Sequence, residues 1–196
     1  MIHAIVLAAG ASSRMGRPKA GLPAGPGGDT FVWRLCRTLQ RAGLSPVTVV
    51  TGAAPEAVGA ALPAVRRGVR LVHHDGWQSG QLGSLLAGLA AVDGVTSEAV
   101  LVALVDSPLV SAATVEALVA RWRATRAPIV RPARGERHGH PVIFDRAVFG
   151  ELRAADPATG AKPVVHRHAG ALEDVEVDDP GAFRDFDTPG DLGALA

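Results

Sequence analysis

The chain has 196 residues, of which 47% are hydrophobic and 20% charged. This is the composition of one ordinary globular domain, long enough to bury roughly 70% of its unfolded surface without a disulfide or metal staple. A formal charge of +1, from 20 basic and 19 acidic side chains, argues against a general nucleic-acid binder, which shows a clustered basic excess. One cysteine, Cys36, excludes a disulfide framework and any multi-cysteine zinc or iron–sulfur centre. The longest strongly apolar run, residues 99–105, falls far short of the roughly 20 residues of a membrane span. Met1-Ile2-His3-Ala4 lacks the basic start of a secretory signal. The expectation is a soluble, cytoplasmic protein forming a single domain over residues 1–196, with neither a nucleic-acid nor a membrane partner.

Short β-branched runs alternate with helical stretches along the chain, the pattern of an α/β fold with a mostly parallel sheet. Residues 2–8 form a continuous apolar run, a buried strand that ends in Gly10. Residues 30–43 are helical, with Phe31, Leu35 and Leu39 on one face, Thr30 as N-cap and Gly43 beyond the C-terminus. Strands are expected at 47–51, 70–74 and 99–105, and helices at 55–62, 83–92 and 111–126. The remainder is less regular. It reads as strand at 129–131 and 141–144, helix at 147–153, a further element at 172–177 and a last helix after Pro189. Helices of this length between strands imply right-handed crossovers in a doubly wound, three-layer sheet, whose ligands bind beyond the carboxyl ends of the strands. The segment 10–19, the turn Asp75-Gly76-Trp77 and Asp106 all follow such ends and should converge on one rim.

The first strand runs into Leu7-Ala8-Ala9-Gly10-Ala11-Ser12-Ser13-Arg14-Met15-Gly16-Arg17-Pro18-Lys19. Small residues let backbone amides approach an anion closely, and Ser12 and Ser13 add donors. Arg14, Arg17 and Lys19 add positive charge, and Lys19 is one of only two lysines among the 20 basic residues. The loop suits a polyphosphate, yet it is neither a Walker A loop nor G-x-G-x-x-G. On loop chemistry alone, a glycine-rich connector with solvated cations remains open.

The string from Leu7 to Lys19 resembles the signature of the nucleotidyltransferases of the molybdenum-cofactor family, within the wider glycosyltransferase-A-like nucleotide transferases. The segment Gly80-Gln81-Leu82-Gly83-Ser84-Leu85 with Gly88 looks like the family's stretch beside the nucleotide. Read locally, it is equally an amphipathic helix. Gly139-His140-Pro141-Val142 resembles an acceptor-side segment of the cytidylyl branch, and Asp185-Phe186-Asp187-Thr188-Pro189-Gly190-Asp191-Leu192 resembles the closing motif. The resemblance implies a nucleotide site of Leu7, Ala8, Ala9, Gly10, Ser12, Ser13, Arg14, Lys19, Gly80 and Ser84. In it, Arg14 and Lys19 hold phosphates and His140 lines the acceptor pocket.

Asp106 closes an apolar strand, where an unpaired carboxylate is costly unless it meets a cation or hydrogen-bond donors. The family places a magnesium-binding aspartate here, and Asp187 is the expected second ligand. One or two carboxylates plus phosphates and water suit Mg²⁺. Each aspartate also stands near a helix start, where it could serve as an N-cap. Ser107 replaces the family's Gln or Met, Gly190 replaces an acidic residue, and 24–28 lengthen the segment after Lys19. The histidine pairs His73-His74, His138 with His140, and His166 with His168 have no neighbouring Cys or Glu at zinc-ligand spacing. Lys162 reads as a solvated cation at a helix start, with a role toward an anionic acceptor as the alternative.

The resemblance therefore implies a Mg²⁺-dependent nucleotidyltransferase. It would move CMP from CTP to the phosphate of a molybdenum-bearing molybdopterin, with Arg14, Lys19 and Asp106 as the catalytic groups. CTP is favoured over GTP because Ala9 stands where the guanylyl branch has glycine. Two other expectations stay open. Some relatives of this fold are NAD(P)H-dependent oxidoreductases, and the chain could instead be a non-catalytic molybdopterin carrier for a molybdoenzyme.

Overall fold

A computed structural model of the chain describes residues 1–93 and 97–195. An eight-stranded sheet runs through it. Four strands are parallel: β1 (Ile2–Ala8), β2 (Val47–Thr51), β3 (Val69–His73) and β4 (Ala99–Leu104). The sheet order is β3-β2-β1-β4, continued by β7 (Val142–Asp145), β5 (Ile129–Arg134) and β6 (Arg137–His138), while β8 (Glu173–Glu176) pairs with β5. The chain thus winds outward from β1 in one direction and restarts at β4 on its other side. That reversal between β1 and β4 opens a crevice at the strands' carboxyl ends.

The crossover winding expected from the sequence carries the chain on from β4 to β5, which runs in the same direction, and ends there. β7 is antiparallel to both β4 and β5, and β6 turns back on β5 in a hairpin. No helical stretch separates β5 from β6 or β7, so the chain returns by a short antiparallel route.

The alternation of β1 sets the layers. Ala4, Val6 and Ala8 face one side and Ile5, Leu7 and Ala9 the other. The first side is covered by α1 (Phe31–Arg41) and α4 (Ala112–Thr125), through Leu35, Leu39, Leu118 and Trp122. The second is covered by α3 (Gln81–Val92), α5 (Phe149–Ala154) and α6 (Lys162–Arg167), through Leu85, Leu89, Leu152 and Val164. The short α2 (Pro55–Ala60) adds Val58 to the first side. Gly88 allows α3 to lie close, because a β-carbon there would stand 2.6 Å from Cγ2 of Ile5. Thr30 caps α1 as expected, its side chain accepting from the amide of Trp33 at 3.2 Å, an interaction of about 1 kcal/mol.

Boundaries differ from the sequence reading in instructive places. α3 begins two residues early, at Gln81, because Gly80 takes φ 91° and turns the chain into the helix. α6 was anticipated only as a helix start at Lys162, since its six residues carry a proline and too little periodicity to mark its extent. The segment after Pro189 is a 3₁₀ coil, Pro189–Leu195, rather than an α-helix. No helix among the described residues is long and apolar enough to cross a membrane.

Candidate active site

A cleft of about 580 Å³ opens at the carboxyl ends of β1 and β4, a size typical of small-molecule sites. Its lining brings together Leu7, Ala8, Ala9, Gly10, Ser12, Ser13, Arg14, Lys19, Gly80, Ser84, Asp106 and Asp187. Trp77, from the turn after β3, joins them. The strand-end rule thus places these loops on one rim.

The loop after β1 is shaped by Ser12, a non-glycine residue at φ 54°. Its carbonyl accepts from the amides of Met15 and Gly16, and its hydroxyl accepts from the amide of Lys19 at 3.2 Å. The amides of Ala11 through Arg14 donate to no acceptor among the described residues. Met15 anchors the loop by burying itself with Leu22, Ala24, Phe31 and Phe186. Phe31 and Phe186 meet edge to face at 5.4 Å, worth about 0.5–1.5 kcal/mol beyond burial.

Lys19 lies at the centre. Its Nζ donates to Oδ1 of Asp187 at 2.6 Å and to Oδ2 of Asp106 at 3.1 Å. Arg14 reaches the same Asp187 oxygen at 3.0 Å. Burial pulls the Lys19 ammonium down, but the hydrogen bond to Asp187 and the charge of Asp106 outweigh it and hold the group above the ordinary lysine value. The bond from Lys19 in turn holds Asp187 below the usual carboxylate range, against the opposing effect of burial. Oδ1 of Asp106 is buried with no hydrogen-bond partner among the described residues.

The second carboxylate is delivered by the C-terminal strap. The amide of Phe186 donates to the carbonyl of Asp106 at 2.8 Å. Asp191 Oδ2 accepts from the amides of Asp187 and Thr188 and from the Thr188 hydroxyl, at 3.0, 2.7 and 2.9 Å. These bonds hold the Asp191 carboxyl below its usual range, led by that from the Thr188 amide. Ser107, the small residue after Asp106, donates to Oδ1 of Asp185 at 2.7 Å and ties the strap to the end of β4. Neither aspartate caps a neighbouring α-helix: Ser111 caps α4 instead.

His140 does not line this cleft. Its Nδ1 is buried without a partner among the described residues. Burial lowers its pKa, while the charges of Asp185 and Asp106 act in the opposite sense. Lys162 opens α6 as an exposed cation outside the cleft. His73, His138 and His168 instead pair with Asp75, Asp174 and Glu151.

Three groups escaped the reading of the sequence. Gln78 and Gln81 line the cleft on either side of Gly80. Their signal was the glycine at a helix mouth, which exposes the side chains flanking it. Asp191 was seen only as part of a motif, because its partners are backbone amides.

Chemically, the site offers a concave, amide-rich loop, two cations and two carboxylates in one network. Such a set can hold a polyphosphate through Arg14, Lys19 and the loop amides. The donors at Asp106 and Asp187 are hard oxygens. The orphaned Asp106 oxygen and the shared cation between the carboxylates fit a divalent metal of the magnesium class.

Comparison with known proteins gives the family. A family model described as the MobA-like NTP transferase domain matches residues 4–172. A curated relative from Paenarthrobacter nicotinovorans, named nicotine blue oxidoreductase, is 34% identical over 95% of this chain and 92% of its own. A probable molybdenum cofactor guanylyltransferase from Mycobacterium avium is 31% identical over 98% and 93%. Among solved structures, Rv0371c of Mycobacterium tuberculosis superposes with a TM-score of 0.82 at 30% identity, over 99% of this chain and 96% of that one. A second structure of that protein is a complex with manganese, at a TM-score of 0.78, 29% identity and coverage of 99% and 97%. The chain is a nucleotidyltransferase-type protein that belongs to the MobA-like NTP transferase family.

Proposed function

We propose that the chain transfers CMP from CTP to the phosphate of a molybdopterin-type acceptor, releasing pyrophosphate. The observation that carries this reading is the single network of Arg14, Lys19, Asp106 and Asp187 at the mouth of the loop after β1. An acceptor phosphate oxygen attacks the α-phosphorus, and the bond from that phosphorus to the β-phosphate oxygen breaks. Arg14 and Lys19 bind the departing pyrophosphate, and the amides of Ala11 through Arg14 hold the chain of phosphates in line. No protein nucleophile is required, because positioning and charge stabilisation carry most of such catalysis. Asp106 and Asp187 would hold Mg²⁺, which supplies further neutralisation of phosphate charge when bound.

The reading of cytosine rests on Ala9, Trp77 and two glutamines in the cleft lining. A β-carbon on Gly52 would lie 2.8 Å from the Ala9 methyl and 2.6 Å from Cβ of Trp77, so Ala9 and Trp77 crowd the same corner. By the family resemblance, Ala9 in the cleft lining stands where the guanylyl branch has glycine. Gln78 and Gln81 supply amide donors and acceptors for the edge of a pyrimidine.

A second reading, a redox activity toward an organic substrate, is favoured by the relative named nicotine blue oxidoreductase. Calorimetric titration of CTP and GTP, with Mg²⁺ and with chelator, separates the two. Magnesium-dependent binding of CTP, tighter than GTP, followed by pyrophosphate release with a molybdopterin acceptor, supports nucleotidyl transfer. Binding of neither nucleotide, with NAD(P)H oxidation in its place, overturns it. Copurification with a molybdoenzyme and no pyrophosphate release would instead assign a carrier role.

A further inference from the structure

We infer that the chain holds a second anion site, outside the catalytic cleft, that takes a small multiply charged phosphoanion. A pocket of about 290 Å³ lies between α1 and the start of α4, and it shares no lining residue with the cleft. Arg34, Arg37 and Arg41 project into it from one face of α1, with Thr38 between them. Residues three and four apart on a helix are neighbours, so the guanidinium groups form a column rather than a scatter.

The charges in the pocket do not balance. Its lining contains one carboxylate, Asp29, which accepts from Nη1 of Arg37 at 2.6 Å. Arg34 uses one nitrogen on the carbonyl of Ala24 at 2.9 Å, leaving the rest of its planar fork free. Arg41 is exposed and has no partner among the described residues. Asp179, next to the opposite wall, is occupied by the amide and hydroxyl groups of Ser111, Thr114 and Gly181. Burial raises the Asp179 carboxyl, but those bonds prevail and hold it low.

Three guanidinium groups around a concave space, facing one carboxylate, match the geometry of a phosphate better than that of a single carboxylate. Arginine forks bind phosphate oxygens in pairs, and the bonds are charge-assisted. The concavity and its volume suit pyrophosphate or a phosphate monoester rather than a flat acidic protein surface. The site also reaches the catalytic loop mechanically. Arg34 and Asp29 brace the turn from Pro23 to Thr30, where the amide of Ala24 donates to the carbonyl of Asp29. Ala24 packs in the same apolar cluster as Met15 and Phe186.

The test uses the full chain, free of nucleotide and in chelator, so that no metal occupies the cleft. Inorganic pyrophosphate, inorganic phosphate and a nucleoside monophosphate are titrated in turn while backbone amide resonances are followed by NMR. Two groups of signals should titrate separately: the loop 10–19, and residues 34–41 with 109–112. Arg41→Gln should raise the pyrophosphate midpoint of the second group roughly tenfold, as loss of one charge-assisted bond predicts, and leave the first unchanged. Lys19→Gln should do the reverse. The order of the three probes assigns the source, free phosphoanion or nucleotide. No movement at 34–41 and 109–112, or an Arg41→Gln midpoint equal to that of the unaltered chain, overturns the site. So does binding of an acidic peptide there without any response to the small anions.

Discussion

The amide of Phe186 donates to the carbonyl of Asp106 across 2.8 Å, and that one backbone bond sets the distance between two carboxylates 81 positions apart in sequence. With the strap clamped there, Asp187 stands where Lys19 can bond both aspartates at once. The charged network is therefore tied to the join between β4 and the C-terminal strap.

Removing the first carboxylate should be severe. Asp106→Asn is expected to lower kcat/KM by at least about 100-fold, since charge stabilisation by a metal supplies several kcal/mol. Mn²⁺ binding followed by electron paramagnetic resonance should weaken in parallel. A loss under tenfold would remove Asp106 from the metal site.

Asp191 acts on the site only through the strap, so its loss should be milder. Asp191→Ala should reduce divalent-metal affinity about 10- to 100-fold, the usual cost of losing a group that orients a ligand. Asp191→Asn, which keeps an acceptor oxygen, should recover part of it. Equal affinity in all three proteins would separate Asp191 from Asp187.

The pairing of Lys19 with Asp187 has a definite pH signature. Asp187 is held below its ordinary value, so its contribution to stability is complete above the unfolded carboxylate pKa, about 3.9. It is lost as pH falls through the lower folded value. Lys19 is held above its ordinary value. Its contribution is complete below about 10.4 and lost as pH rises through the folded value. Lys19→Gln should accordingly unfold at lower urea than the unaltered chain at pH 7, and the gap should close in strong acid. A gap that widens on acidification would contradict the pairing.

Gly139 meets a packing requirement. A β-carbon there would stand 2.0 Å from the Ala182 carbonyl oxygen, the same atom that accepts from the His140 amide at 2.9 Å. Gly139→Ala should cost about 1–3 kcal/mol, the usual range for forced overpacking, read from urea unfolding. A neutral result would show that the strap moves aside freely.

Base choice should move with Ala9. Ala9→Gly is expected to raise the GTP-to-CTP ratio of kcat/KM by about tenfold, the lower end of what one methyl group commands in a pocket. An unchanged ratio would place base selection elsewhere in the cleft.

Much of this was legible in the residues themselves. The continuous apolar run 2–8, the capped and periodic helix 30–43 and the apolar strand before Asp106 follow from local rules: burial on both faces, a Thr N-cap, a costly carboxylate at a strand end. The loop from Leu7 to Lys19 could be recognised because its chemistry is contiguous. What lay outside the reach of sequence was everything built from distant partners. That β7 runs antiparallel is set by its backbone pairing with β4 and β5, and that Lys19 bridges Asp106 and Asp187 is set by side chains brought together from 87 and 168 positions away. Backbone amides and carbonyls are common to every residue, so the sequence does not encode their long-range pairing in any local pattern. Only the folded sheet, with its reversal between β1 and β4, decides which of them meet.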